Sequence, residues 1–424
     1  MHHFHYRDHE LYCEDVPLLQ LAAEVGTPCY VYSLATLRHH FTVFNQGFAS
    51  VPHLTCFALK ANSNLAILSF FASLGGGADI VSGGELFRAL KAGIPPERIV
   101  YSGVGKTLAE IDYALENDIL MFNIESSQEL EVINARAGKL GRKARIALRV
   151  NPDVDPKTHP YISTGMKTTK FGIDIDSALA EYERAQSLSH IQIMGVDCHI
   201  GSQLTDLTPF VDALGRLRLL IERLDRLGIS IKYLDLGGGL GITYDQEEPP
   251  HPEEYARAIL RELEGFQCTL IFEPGRVIVG NAGVLIAQVL YTKSSPSKNF
   301  VVVDAAMNDL VRPSLYGSYH HIQPLKRVEG VARETVDVVG PICESGDFLA
   351  RDRELPVVQP GEYVAVMSAG AYGFTMASNY NSRPRLPEVL VNGKDYFIIR
   401  RRETREDLIR GEVIPDFVQP GSGG

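Results

Sequence analysis

The run "CFALKANSN" (56–64) ends an apolar stretch on one lysine, Lys60, and follows it at once with small polar residues. A strand-end lysine usually lets its ammonium reach water along its own methylene stem. Desolvated at the mouth of a pocket, the same amine sheds its proton more easily and can form a Schiff base with a carbonyl compound or an aldehyde cofactor. Three further stretches carry chemistry-bearing residues. "DLGGGLG" (235–241) sets Gly237, Gly238 and Gly239 in a row, either a plain turn or a place where backbone N–H groups converge on a phosphate. "EPGR" (273–276) holds Glu273 and Arg276 three residues apart, suited to a mutual salt bridge or to two ligand contacts. "ICESGD" (342–347) puts Cys343 beside Glu344, the one cysteine of six set among polar and glycine neighbours, although most cysteines are inert packing.

Composition bounds what these residues serve. A chain of 424 residues with 45% hydrophobic and 22% charged content reads as a soluble globular protein of more than one domain. Its net charge of -11 argues against nucleic acid or an anionic membrane as the main partner and favours a small molecule. Cys13, Cys29, Cys56, Cys198, Cys268 and Cys343 show no C-x-x-C pair, so neither disulfides nor a metal site is expected. No run approaches the roughly 18 apolar residues of a membrane span, and "MHHFHYRDHE" lacks the apolar core of a secretory signal. A reducing, cytoplasmic setting is the expectation. His2, His3 and His5 could take up metal adventitiously, but a frayed terminus is the plainer reading.

The elements that must position these residues alternate regularly. Runs rich in Val, Ile and Leu recur at 54–60, 77–83, 99–103, 119–126, 145–152, 193–201, 233–240 and 269–276. Stretches such as "TLAEIDYALEN" and "FVDALGRLRLLIERLDRLG" lie between them, with apolar residues every three to four positions. Eight βα units predict a (β/α)8 barrel over residues 36–280. After 280, runs such as "NFVVVDAA" and "EYVAVMSAG" are separated by turn residues, which predicts an all-β second domain. That domain takes in 281–424 and residues 1–35, whose "PCYVYS" reads as a strand.

A barrel of this kind gathers its chemistry at the C-terminal strand ends. Lys60 ends the first strand, Asp79 lies in the second, Arg149 is near the end of the fifth and His199 ends the sixth. The three glycines finish the seventh, and Glu273 and Arg276 the eighth. The loops after strands seven and eight are the usual phosphate site of the fold.

A lysine, a phosphate-cradling glycine run and a carboxylate able to keep a ring nitrogen protonated meet the needs of pyridoxal 5'-phosphate. With "CHIGSQ", "RPSLY" and "CESGD", these motifs resemble the alanine-racemase-like (fold type III) pyridoxal-phosphate decarboxylases, in that family's order, from about residue 25 to 390. The resemblance implies decarboxylation of meso-2,6-diaminopimelate to L-lysine and CO2. It implies that Lys60 forms the Schiff base, that His199 covers the face of the pyridine ring and that Glu273 pairs with the ring nitrogen. Ser202 and Gly237 to Gly239 would bind phosphate, with Asp79, Gly275, Arg276 and Tyr372 completing the cofactor site. It also implies that Cys343 comes from a second subunit as proton donor, which makes the protein a homodimer with shared sites.

The substrate's remote end narrows the choice further. Ornithine, lysine and arginine end in a cation, whereas diaminopimelate carries a second carboxylate as well as an ammonium. Arg276 and Arg312 can offer forked donors to that carboxylate, Tyr316 and Tyr372 hydroxyls, and Glu344 an anion for the ammonium. The alternatives are a decarboxylase of another basic amino acid, a racemase, which would usually carry tyrosine where Cys343 stands, and a non-catalytic binding relative, which has no need of Lys60, the glycines, Glu273 and Cys343 together. Whether 158–172 closes over the site as a lid or is an ordinary surface loop stays open.

Overall fold

Short Val-, Ile- and Leu-rich segments that are buried on both faces need cover on both, and a closed parallel barrel wrapped in helices provides it. The computed structural model describes residues 2–155, 164–165 and 169–418. Strands Gly77–Ile80 and Met121–Ile124 are buried at every position. Around the barrel the order is His53–Ala58, Gly77–Ile80, Ile99–Tyr101, Met121–Ile124, Ala144–Asn151, Ile191–Asp197, Tyr233–Asp235 and Thr269–Phe272. Every pairing is parallel, and Thr269–Phe272 closes the ring by pairing with His53–Ala58. These are the eight strands expected from the apolar runs.

The outer helices start where the sequence supplies caps. Ser82 accepts from the Glu85 amide to open Gly83–Lys91, and Thr107 with Glu110 forms a capping box at Leu108–Glu116. The eighth βα unit departs from expectation. Only the single turn Arg276–Val279 follows the last strand directly. The helix Leu34–Gly47, which precedes the first strand, packs against Pro252–Glu262 and Arg276–Val279 instead. Its Phe44 ring meets Phe272 of the eighth strand edge-on at 5.7 Å, so a helix from the start of the chain covers the end of the barrel.

Beyond the barrel the chain is mostly β. Gly283–Ser294 is the central strand, pairing antiparallel with Cys29–Ser33, Tyr363–Val366 and Asn299–Val303. Cys29–Ser33 also pairs with Glu388–Asn392, so the predicted strand near the start of the chain sits inside the second domain's sheet. The histidine-rich start is not frayed. Phe4–Arg7, Glu10–Cys13 and Val16–Pro17 form a three-stranded sheet whose Phe4, Leu11 and Cys13 are buried, and the His3 amide donates to Thr36 Oγ1. Burying those apolar side chains outweighs the cost of ordering the strands. No helix among the described residues is long and apolar enough to cross a membrane.

The two domains meet at the lysine. The Tyr372 amide donates to Ala61 O at 2.8 Å, and Thr375 Oγ1 donates to Lys60 O at 3.1 Å. Asn64 Nδ2 donates to Glu388 Oε2, which Arg400 also holds, while Tyr32 donates to Oε1. The segment carrying Lys60 is thus tied to the β domain that supplies Tyr372.

Candidate active site

A cleft opens at the C-terminal end of the barrel. Lys60, His199, Ser202, Gly237, Gly238, Gly239, Glu273, Gly275, Arg276, Arg312, Tyr316 and Tyr372 all line it. Asp79 lies fully buried beside Lys60. Cys343 and Glu344 do not line this cleft; both are exposed, with the Cys343 amide donating to Asn381 Oδ1. Most of the segment 158–172 lies outside the described residues.

Lys60 Nζ donates to Asp79 Oδ2 at 2.6 Å. Burial taken alone would lower the ammonium's pKa, but the carboxylates of Asp79 and Glu273 outweigh it and the net shift is upward. This corrects the expectation that the lysine loses its proton easily: desolvation comes together with a counter-ion, and the counter-ion wins.

The glycine run turns where no side chain would fit. Gly237 adopts φ +62, and a Cβ there would stand 2.5 Å from His199 Nδ1; at Gly238 it would meet Glu273 O at 2.3 Å. Asp235 Oδ1 accepts from the Gly237 amide at 3.0 Å and His199 Nδ1 from the Gly238 amide at 3.1 Å. An Nδ1 that accepts leaves the ring proton on Nε2, and burial next to Arg149 and Lys60 holds the imidazole neutral, well below its ordinary pKa.

Below the cleft lies a buried acidic layer absent from the sequence expectations. Oxygens of Asp197, Asp235 and Glu273 all lie within 4.8 Å of one another. Asn123 Nδ2 links the last two, donating to Asp235 Oδ2 at 3.2 Å and Glu273 Oε1 at 3.4 Å, and also to Ser102 Oγ at 3.1 Å. Burial first, and then mutual repulsion, raises the pKa of each of the three carboxylic acids. The layer therefore holds protons more tightly than exposed carboxylates do. The signal was present, since Asp197 and Asp235 each interrupt an apolar strand immediately before a glycine- or histidine-bearing motif.

Glu273 and Arg276 do not form the salt bridge that their spacing allowed. Arg276 Nη1 donates to Tyr244 Oη at 2.7 Å and Nη2 to Ser202 Oγ at 2.9 Å, while its buried Nε has no partner among the described residues. Arg312 Nη2 donates to Ser318 Oγ at 3.2 Å, and its guanidinium lies over the rings of Tyr244, Tyr316 and Tyr372. Both arginines are 5% exposed, and neither pairs with a carboxylate among the described residues. Tyr244, which both guanidiniums approach, escaped the sequence reading although it lies only a few residues beyond the glycine run. Tyr372 reaches the site from a left-handed backbone (φ 55), a conformation costly for an aromatic residue and concentrated at functional sites.

The donor set fits a phosphorylated pyridine aldehyde: a cradle closed to any Cβ, a buried guanidinium, a buried carboxyl able to pair with a ring nitrogen, and an amine. Residues 34–280 match the family model described as "Pyridoxal-dependent decarboxylase, pyridoxal binding domain", which together with the barrel places the chain among the pyridoxal-dependent decarboxylases. The chain is 54% identical over 405 residues to the diaminopimelate decarboxylase of Aquifex aeolicus, covering 95% of this chain and 96% of that one. The crystal structure of diaminopimelate decarboxylase from Helicobacter pylori complexed with L-lysine superimposes with a TM-score of 0.90 at 46% identity, covering 93% of this chain and 98% of that chain. The diaminopimelate decarboxylase of M. jannaschii in co-complex with L-lysine gives 0.94 at 40% identity, with coverage of 98% and 99%. The chain belongs to the diaminopimelate decarboxylase family, as its motifs implied.

Proposed function

We infer that the protein decarboxylates meso-2,6-diaminopimelate to L-lysine and CO2 with pyridoxal 5'-phosphate as its cofactor. The observation that carries this reading is the pair of buried guanidiniums, Arg276 and Arg312, that line one cleft without a carboxylate partner among the described residues. An unpaired buried cation is costly, so a site that keeps two is built for anionic ligand groups. A cofactor phosphate accounts for one and a substrate carboxylate remote from the reacting centre for the other. Ornithine, lysine and arginine have no such carboxylate.

When bound, the cofactor supplies an electron-withdrawing ring that stabilises the negative charge left as CO2 departs. The protein's residues divide the remaining work. Lys60 would hold the aldehyde carbon. The Gly239 amide, with Ser202 and Arg276, would bind the phosphate in the cradle that Gly237 and Gly238 shape, since the Gly237 and Gly238 amides are committed to Asp235 Oδ1 and His199 Nδ1. Glu273, buried at the floor of the cleft, would pair as a carboxylate with the ring nitrogen and favour its protonated form, while neutral His199 would cover the ring face without adding a competing charge. Arg312 and Tyr316 would hold the distal carboxylate.

Cys343 and Glu344 would act from a second copy of the chain, as proton donor and as partner to the distal ammonium. Their exposed position outside their own subunit's cleft supports a homodimer with shared sites. Small-molecule chemistry without nucleic acid or membrane, in the cytoplasm, remains the setting that fits the charge and composition.

The test is Arg312→Ala. Loss of a charge-assisted contact of roughly 1.5–3 kcal/mol should cut kcat/KM on diaminopimelate by about 10- to 150-fold. Any slow turnover of lysine should barely change. Equal losses on both would assign Arg312 to the cofactor or the fold.

A further inference from the structure

The segment "RPSLYGSYHH" (312–321) supplies both Arg312 and the groups that hold it. Its helix, Arg312–Tyr316, stops at Gly317 in the left-handed conformation (φ 61), and the chain returns so that Ser318 and His320 lie against the arginine. Such a stop is natural for glycine, which pays no Cβ penalty there. His320 is wholly buried. Its Nδ1 is 2.9 Å from Met367 O, and because a carbonyl can only accept, Nδ1 carries the proton. Nε2 is then an acceptor, and Arg312 Nε donates to it at 3.4 Å.

Other contacts fix the ring from outside. Tyr244 meets it edge-on at 5.3 Å, and Arg353 Nη1 donates to the His320 carbonyl at 2.7 Å. Burial, together with the positive charge of Arg312, pushes the imidazole down to about 3, so it stays an uncharged acceptor. With Nε committed to His320 and one Nη2 hydrogen to Ser318, the remaining donors of Arg312 lie along its Nη1–Nη2 edge. That edge is the fork that pairs with a carboxylate in two parallel bonds.

We propose that His320 is a positioning residue for substrate selection: as an acceptor at Nε2 it fixes the Arg312 guanidinium so that its Nη1–Nη2 edge meets the distal carboxylate of the substrate. The proposal rests on the reading of Arg312 given above. It assigns His320 no contact with substrate or cofactor. Its effect passes through the orientation of one arginine.

Two polar replacements separate this role from a purely structural one. In His320→Gln the side-chain oxygen can reach the place of Nε2 and still accept from Arg312. In His320→Asn the amide can reach only the place of Nδ1, keeping the bond to Met367 O while leaving Arg312 Nε without an acceptor. The measurement is KM for diaminopimelate in each holoenzyme, alongside the dissociation constant for pyridoxal phosphate and the same values for Arg312→Ala. The expected result is a KM raised about tenfold in His320→Asn and within about twofold of the parent in His320→Gln, with cofactor affinity unchanged in both. In a double variant, His320→Asn should add nothing to Arg312→Ala. A KM raised by Gln but not by Asn would show that the histidine serves Met367 and overturn the proposal, as would additive losses in the double variant. If Arg312→Ala itself leaves KM unchanged, the reading of Arg312 fails, and the proposal with it. A raised KM in Arg312→Ala beside a normal one in His320→Asn would overturn the His320 assignment alone.

Discussion

Lys60 Nζ and Asp79 Oδ2 stand 2.6 Å apart at the ends of neighbouring barrel strands, and the Asp79 side chain is entirely buried while its other oxygen has no partner among the described residues. The lysine thus waits as an ammonium held by an unscreened anion. Because its pKa is raised, the neutral amine needed to attack an aldehyde is scarce near neutral pH and increases about tenfold per pH unit until the pKa is reached. The rate at which cofactor-free protein takes up pyridoxal phosphate should accordingly climb with pH. Asp79→Asn should displace that profile to lower pH, which stopped-flow absorbance would record. An unmoved profile would mean that the ion pair does not control the amine.

Subunit sharing makes a quantitative prediction. Lys60→Ala should abolish both turnover and the near-visible absorbance of the covalently bound cofactor while the fold survives, since Lys60 faces the cleft and not the core. Cys343→Ala should lose product formation with substrate binding largely kept, as befits a proton donor. If Cys343 completes its partner's cleft, mixing and reassociating the two variants should regenerate one intact site in each mixed dimer, or about a quarter of parental activity. Activity that stays at the level of the separate variants would place both residues in one subunit's site.

Gly237→Ala should cost more than a left-handed glycine with open surroundings. Gly228 has a similar φ of +75 with nothing near its missing Cβ, whereas a Cβ at 237 would stand 2.5 Å from His199 Nδ1. The strain shared by both substitutions is about 1–2 kcal/mol. Only at 237 should thermal unfolding shift further and cofactor affinity fall as well. Equal shifts in Tm with unchanged affinity would reduce the glycine to a turn.

Sequence and structure agree where the signal is local. All eight barrel strands were legible because apolar runs buried on both faces announce themselves, and the motif residues at their ends fall into one cleft because the fold aligns those ends. Long-range pairings were not legible. Nothing local tells Leu34–Gly47 to cover the eighth strand, or Glu388–Asn392 to pair with Cys29–Ser33. His320 and Asn123 were passed over for a related reason, since each acts through a partner whose identity depends on the fold: Arg312 for one, and Glu273 with Asp235 for the other. The direction of the Lys60 shift was missed because a buried counter-ion on a neighbouring strand reverses what desolvation alone would do.

The most direct test of the central claim is CO2 release by the purified protein loaded with pyridoxal phosphate, offered meso-diaminopimelate, lysine, ornithine and arginine in parallel. A site that keeps Arg312 buried for a distal carboxylate should favour diaminopimelate by roughly 10²-fold or more in kcat/KM, because the other substrates leave that cation unpaired. Faster release from lysine, ornithine or arginine, or none from diaminopimelate, would contradict the account.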